Sequence, residues 1–246
     1  MAVYVYAIVG KDHPVRLTGL RGVGEPGAPL RTITTESLRA VVSDTPHAQG
    51  HDARNAPVHQ EVLTRLMEDG TVLPVCVGRV VPDDAAVRIA LENEAEAYRR
   101  DLRHVDGCAE YRLQVAQDAE ALLRQILEDS YTARKLNDDI RTAAEDPDLP
   151  LHLGEMINGE ARARHRAFAA GVIEALRPLV RAQASLEPED DAFFSASFLV
   201  PDDRESLFYA AAVSLAQQAG DDFRFRFEGP LPPYSFISRP IADRGA

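Results

Sequence analysis

Histidines His47, His51 and His59 are the first side chains whose type and spacing could do chemistry. Two imidazoles four positions apart can share one helix face and hold a metal ion. His47 and His51, however, flank Gly50 in a polar stretch, 44–57, punctuated by Gly and Pro, and no cysteine or third spaced ligand follows. They read as exposed loop histidines, His59 as a residue near a helix start, and no metal is expected. Cys76 would act as a nucleophile only if a neighbouring cation or helix N-terminus activated it. Nothing near it in sequence does so, and an inert buried thiol is expected. Paired carboxylates at Asp83–Asp84, Asp138–Asp139, Asp190–Asp191, Asp202–Asp203 and Asp221–Asp222 could in principle do acid–base work or bind Mg²⁺. None has a His or Lys at useful spacing, and several fall at predicted element boundaries, where carboxylates cap helices and solvate turns. "RGVGEPG" (21–27) lacks the Gly-x-Gly-x-x-Gly order and any Lys-Ser/Thr, and no Gly-x-Ser-x-Gly elbow occurs. No catalytic residue, cofactor or metal site is therefore assigned.

The chain that must position any site has 246 residues, 45% of them hydrophobic, and a net charge of −12. That length suits one large domain or two of modest size, with enough apolar surface for a real core. The acidic balance argues against nucleic acid, which requires clustered Lys and Arg, and against an anionic membrane surface. No apolar run approaches the ~18 residues of a membrane span. The opening "MAVYVYAIVG" has no basic flank and reads as a strand, not a signal peptide. Cys76 and Cys108 are too few and too far apart for a zinc site or a disulfide framework, so a reducing cytoplasm is expected.

Periodicity places the elements. "VYVYAIV" (3–9) is a strand covered on both faces. "LRTITT" (30–35) and "LRAVVS" (38–43) are two short strands with a tight connection. Val58, Val62, Leu63 and Leu66 line one helix face, ended by Gly70. "TVLPVCV" (71–77) is a strand that Pro74 pushes to a sheet edge or a bulge. A helix opens at Pro82–Asp83–Asp84, and "CAEYRLQVA" (108–116) closes this half as a strand. Two long helical stretches follow, 119–145 and 154–185, separated by "EDPDLPLHLG" (145–154), with Pro178 bending or ending the second. "AFFSASFLV" (192–200) is a strand, and a helix runs from Pro201–Asp202–Asp203 to Gly220. Phe223, Phe225 and Phe227 then alternate with Arg224, Arg226 and Glu228, as in a half-buried antiparallel strand. The expectation is an α+β fold of two domains, 1–117 and 118–246, with a long helical hairpin in the second.

"GPLPPYSFI" (229–237) follows that alternating strand. Gly229 and Pro230 are expected to end it, and Pro232 and Pro233 hold the chain extended at little remaining entropic cost. Tyr234, Phe236 and Ile237 would then bury apolar area at a predetermined place. This is a preformed clip, expected to lock the second domain, or a preformed surface for a partner.

The clip resembles the Gly-Pro-x-Pro-Pro-Tyr-Ser-Phe ending of the gas vesicle protein F and L family, with Leu231 where the family usually has Trp. "YVYAIVG" (4–10) is similar to the family's opening strand. "VHQEVLTRLMEDGTVLPVCVGRV" (58–80) is similar to its His, leucine-rich helix and Thr-Val-Leu-Pro strand, although Cys76-Val77-Gly78 replaces the usual Arg-Phe-Gly. "GCAEYRLQV" (107–115) and "SFLVP" (197–201) match in order along the chain. The resemblance implies two α+β domains, the second ferredoxin-like. It implies a non-enzymatic accessory or minor structural protein of gas vesicle assembly, located at the gas vesicle within the cytoplasm. Its implied partners are the small hydrophobic major shell protein and other gas vesicle accessory proteins; neither nucleic acid nor a lipid membrane is expected. The motif to carry over is Gly229, Pro230, Pro232, Pro233, Tyr234 and Phe236, structural or partner-binding. The rival reading is a small-molecule-binding or enzymatic α+β protein, which would need a polar pocket with convergent charges.

Overall fold

A computed structural model of the chain describes residues 1–24, 26–46, 53–142, 148–238 and 241. The chain forms two compact units. The first takes Met1–Tyr111, Leu199–Asp202 and Gly229–Ala246; the second takes Arg112–Phe198 and Asp203–Glu228. Residues 229–246, which the sequence joins to the C-terminal domain, therefore belong to the first unit.

In the first unit, strands β1 (Ala2–Gly10), β2 (Leu30–Thr34) and β3 (Leu38–Thr45) precede helix α1 (Ala56–Asp69). Strands β4 (Val72–Pro74) and β5 (Val80–Val81) follow, then helices α2 (Asp84–Asn93) and α3 (Ala95–Val105). The sheet has the order β2-β3-β1-β4, with β5 also pairing β1, and its described pairs are antiparallel. β1 is buried continuously from Val3 to Val9, as its β-branched and aromatic run requires. Val62, Leu63 and Leu66 of α1 pack on Tyr4, Tyr6 and Val9 of this strand. Pro74 ends β4 at the sheet edge, where a missing N–H costs nothing. The helix expected from Pro82 opens as predicted, with the Asp83 carboxylate accepting from the N–H of Ala86 at 2.9 Å. It breaks at Glu94 into α2 and α3. Asp84 is drawn instead into a two-pronged pair with Arg31, at 3.0 and 2.7 Å.

Strand β6 (Cys108–Gln117) leads to helices α4 (Ala119–Asp129), α5 (Tyr131–Thr142) and α6 (Asp148–Leu176). Strands β7 (Ala182–Ser185) and β8 (Ala192–Pro201), helix α7 (Glu205–Ala219) and strand β9 (Phe223–Leu231) follow. The sheet order is β7-β8-β6-β9. In chain order this is β-α-β-β-α-β with spatial order 4-1-3-2, the ferredoxin-like split βαβ arrangement. The strand ends Cys108–Tyr111, Leu199–Pro201 and Gly229–Leu231 are counted with the first unit.

The helical hairpin differs from expectation in three places. The stretch 119–145 is broken at Ser130, whose Oγ accepts from the N–H of Ala133 at 3.2 Å and starts a new helix. α6 already begins at Asp148, because Pro150 sits in its first turn, where its missing N–H is harmless. It ends at Leu176, just before Pro178, and residues 182–185 form an edge strand in place of further helix. Residues 143–147, the end of the first expected helix and the start of the expected break, lie outside the described residues. Leu122 and Ile126 of α4 and Ala133 of α5 pack with Leu153, Met156 and Ile157 of α6 to close the hairpin. The phenylalanines of β9 face inward as predicted: Phe223 stacks on Phe168 at 4.6 Å, and Phe227 meets Phe208 at 5.8 Å.

Candidate functional site

The segments that carry the family resemblance lie far apart in sequence, yet four of them meet in the first unit. α1 starts with Pro57 in its first turn and points His59 inward beside Val62 and Leu66. The imidazole, fully buried, stacks on Tyr6 at 5.4 Å and meets the edge of Tyr4 at 5.7 Å. Its Nδ1 lies 3.1 Å from the Tyr4 hydroxyl, which accepts the N–H of Gly78 at 2.8 Å. Its Nε2 lies 3.3 Å from the Tyr234 hydroxyl, itself 3.3 Å from the carbonyl of Val75.

One assignment of protons satisfies every group. Gly78 N–H donates to Tyr4 Oη, Tyr4 O–H donates to His59 Nδ1, His59 Nε2–H donates to Tyr234 Oη, and Tyr234 O–H donates to Val75 C=O. Burial holds this array neutral. It pushes His59 down to about 4, Tyr4 up to about 12 and Tyr234 further up. A neutral, fully satisfied chain of hydroxyls and imidazole fixes positions; it offers neither an activated nucleophile nor a charged base.

The residues after Tyr234 are tied to carboxylates. Ser235 donates its N–H and its hydroxyl to the two oxygens of Glu110, at 2.8 and 2.7 Å. Ser238 N–H donates to Asp101 at 2.8 Å, and Ile241 N–H to the hydroxyl of Tyr98 at 3.0 Å. Glu110 and Asp101 are buried, a position that charged carboxylates tolerate when strong donors surround them.

The predicted motif residues are placed as follows. Gly229 and Pro230 do not end β9, which runs on to Leu231. Gly229 has φ +156, and a Cβ there would overlap the ring of Tyr111. Pro232 and Pro233 are buried, and Tyr234–Phe236 form a short 3-10 turn with Phe236 half-buried. The hydrogen bonds described for Tyr234, Ser235 and Ser238 run to His59, Val75, Glu110 and Asp101, all within the first unit. Cys76, expected buried, is exposed, because β4 stops at Pro74 and the chain turns away from the sheet. With Ala56, Pro57, Gln60, Val77 and the outer edge of Tyr234 it lines a shallow apolar groove. His47 and His51 lie outside the described residues. Among the described residues no group of three or more His, Cys, Asp or Glu could hold a metal ion, and no helix is long and apolar enough to cross a membrane. Of the carboxylate pairs, Asp83 caps α2, Asp84 pairs with Arg31, Asp191 and Asp190 pair with Arg224 and Arg226, and Asp222 accepts from Gln125.

The chain matches the family model of the gas vesicle synthesis protein GvpL/GvpF over residues 2–238. It is 35% identical over 239 residues to gas vesicle protein F of Streptomyces sp. (strain CB03234), covering 96% of this chain and 100% of that protein. It is 26% identical to gas vesicle protein L of the same strain, covering 95% and 91%. The crystal structure of the gas vesicle protein GvpF from Anabaena sp. PCC7120 superposes with a TM-score of 0.86 at 21% identity, covering 98% of this chain and 99% of that one. Clip, opening strand, His59 helix and Glu110 strand thus fall within one continuous match, and the chain belongs to the gas vesicle synthesis protein GvpL/GvpF family.

Proposed function

We propose that this protein takes part in gas vesicle assembly by binding the hydrophobic major shell protein, and that it does so at the gas vesicle within the cytoplasm. A very apolar subunit needs a partner that offers apolar surface while staying soluble itself. The observation that carries the reading is helix α7. Beyond Glu205 its sequence, "SLFYAAAVSLAQQA", has no charged residue, in a chain that is 27% charged. Phe208 and Ala212 turn inward, while Leu207, Tyr209 and Val213 are 60%, 56% and 38% exposed. The strong acidic balance elsewhere supplies solubility. The higher identity to the F protein than to the L protein of one Streptomyces strain supports an F-type role.

The test is coexpression with the major shell protein from the same source, measuring copurification and the soluble fraction of shell protein together. The expected result is copurification with a raised soluble fraction, both lost in Leu207→Glu/Tyr209→Glu while the melting temperature holds. A folded chain that neither retains nor solubilises the shell protein sinks the direct-binding reading. Retention by the α7 variant, together with loss in Tyr234→Ala/Phe236→Ala at unchanged melting, would move the contact to the clip.

A further inference from the structure

The first unit holds a second feature that the clip and α7 leave unused. A cleft of about 730 Å³ opens where the end of β1, the β2–β3 turn, the α1–β4 turn and one side of α3 come together. That volume falls within the range of ligand-binding clefts. Its floor is His13, buried, with Nε2 on the carbonyl of Leu66 at 3.1 Å and Nδ1 accepting the N–H of Val15 at 3.1 Å. Both ring nitrogens are thereby committed, and the ring cannot turn. Val15 reaches that bond only with φ at 48°, a left-handed conformation that a β-branched residue adopts at a cost. Gly70, at φ +152, closes the other side; a Cβ there would stand 3.2 Å from the imidazole. The floor is thus prebuilt, and strain is spent on holding it.

The rim carries both signs of charge. Asp69 is engaged by Arg16, Asp106 by Thr71, and Arg99 by Glu96. Lys11, Asp12, Glu36 and Arg103 also line the cleft, all exposed, with no side-chain hydrogen bond or ion pair among the described residues. Two unpaired cations and two unpaired carboxylates around one cleft disfavour a simple anion and a simple cation alike. They match a ligand that brings opposite charges of its own.

We propose that this cleft binds a polypeptide segment of a partner that carries acidic and basic side chains close together. The segment lies over the His13 floor, its carboxylate meeting Lys11 and Arg103 and its cation meeting Asp12 and Glu36. The proposal is independent of shell-protein binding at α7, and a partner using this cleft would be charged where the shell protein is apolar.

The test uses the full-length ¹⁵N-labelled chain and capped four-residue peptides: one with Glu and Lys, one with two Glu, one with two Lys and one with two Gln. Free lysine serves as a zwitterion without a peptide backbone. The expected result is saturable shifts of the Lys11, Asp12, Ser37 and Thr71 amides with the mixed-charge peptide, and clearly weaker ones with the others. Lys11→Gln/Arg103→Gln and Asp12→Asn/Glu36→Gln should each weaken that binding by about tenfold or more, with melting unchanged because the four groups are exposed and unpaired. Absence of shifts overturns the proposal, as do equal shifts from the uniformly charged peptides, undiminished binding by both variants, or free lysine binding as well as the peptide.

Discussion

Two buried or half-buried imidazoles, one in each unit, show two ways of holding a fold. His59 is fully buried and bonded at both nitrogens, to Tyr4 and to Tyr234. His165 is half-buried and lies flat on Phe193, centroids 3.9 Å apart, with its Nε2 bonded to Gln117 at 3.0 Å. Around His59 the contacts are directional, and each hydroxyl has one orientation that satisfies it. Beyond His165 the contacts are faces and edges, Phe193 meeting Phe168 and Phe168 stacking on Phe223, which tolerate small rotations. The first unit therefore gains specificity from hydrogen bonds, and the second gains stability from aromatic area.

The comparison can be broken at its strongest point first. Phe208 is fully buried between Phe198 and Phe227, so Phe208→Ala should cost about 4 kcal/mol in urea unfolding. A loss below about 1 kcal/mol would mean that the aromatic cluster collapses around the hole and stabilises little.

Acid should strike the polar array next. His59 takes up a proton near 6.5 when unfolded but only near 4 in the fold. Between those values the unfolded chain binds more protons, so stability is full above about pH 6.5 and falls as pH drops toward 4. The total loss is about 3 kcal/mol. The slope should flatten in His59→Gln; an unchanged slope would place the acid sensitivity elsewhere, for instance at His13 or His165, which burial also pushes down.

Gly229→Ala should cost about 2 kcal/mol, since its Cβ would overlap Tyr111. The smallest change is Tyr234→Phe, which leaves His59 Nε2–H and the Val75 carbonyl without the hydroxyl. A cost of about 1 kcal/mol is expected in chemical unfolding, and no effect would mean that water replaces the hydroxyl.

The elements that could be read ahead are those with a strong local signal. The alternation of Phe223, Phe225 and Phe227 carries its own register, and Pro201 and Gly220 bracket α7 closely. Ser130, by contrast, interrupts a run with continuous helical composition, and only its cap geometry reveals the break. Ala182–Ser185 has weak strand propensity and exists as a strand because β8 pairs with it. At the site, Tyr234 is 37% exposed, not buried as expected, with its hydroxyl turned to His59; the stiffness of Pro232 and Pro233 before it was legible. The partners of Tyr234 and Ser235 were not, because His59 and Glu110 lie 175 and 125 positions away from the residues they hold, and no periodicity spans such distances. Glu110 left no trace, because it alternates with Tyr111 and Leu113 on the same face as Arg112 and Gln114, where a strand's solvent-facing residues are expected, yet it is buried.

That the first unit is assembled from both ends of the sequence has a consequence for how the protein is made. Synthesis delivers Met1–Tyr111 first and Gly229 onward last. At about 5–20 residues per second, translating the intervening stretch takes roughly 6–25 s. For that interval Glu110, Asp101 and the imidazole of His59 wait without Ser235, Ser238 and Tyr234. A chain that lacked Gly229 onward would leave the Glu110 and Asp101 carboxylates and His59 Nε2–H without these donors and acceptor. Tyr234, Ser235 and Ser238 thus complete, late in synthesis, hydrogen bonds whose partners were made early.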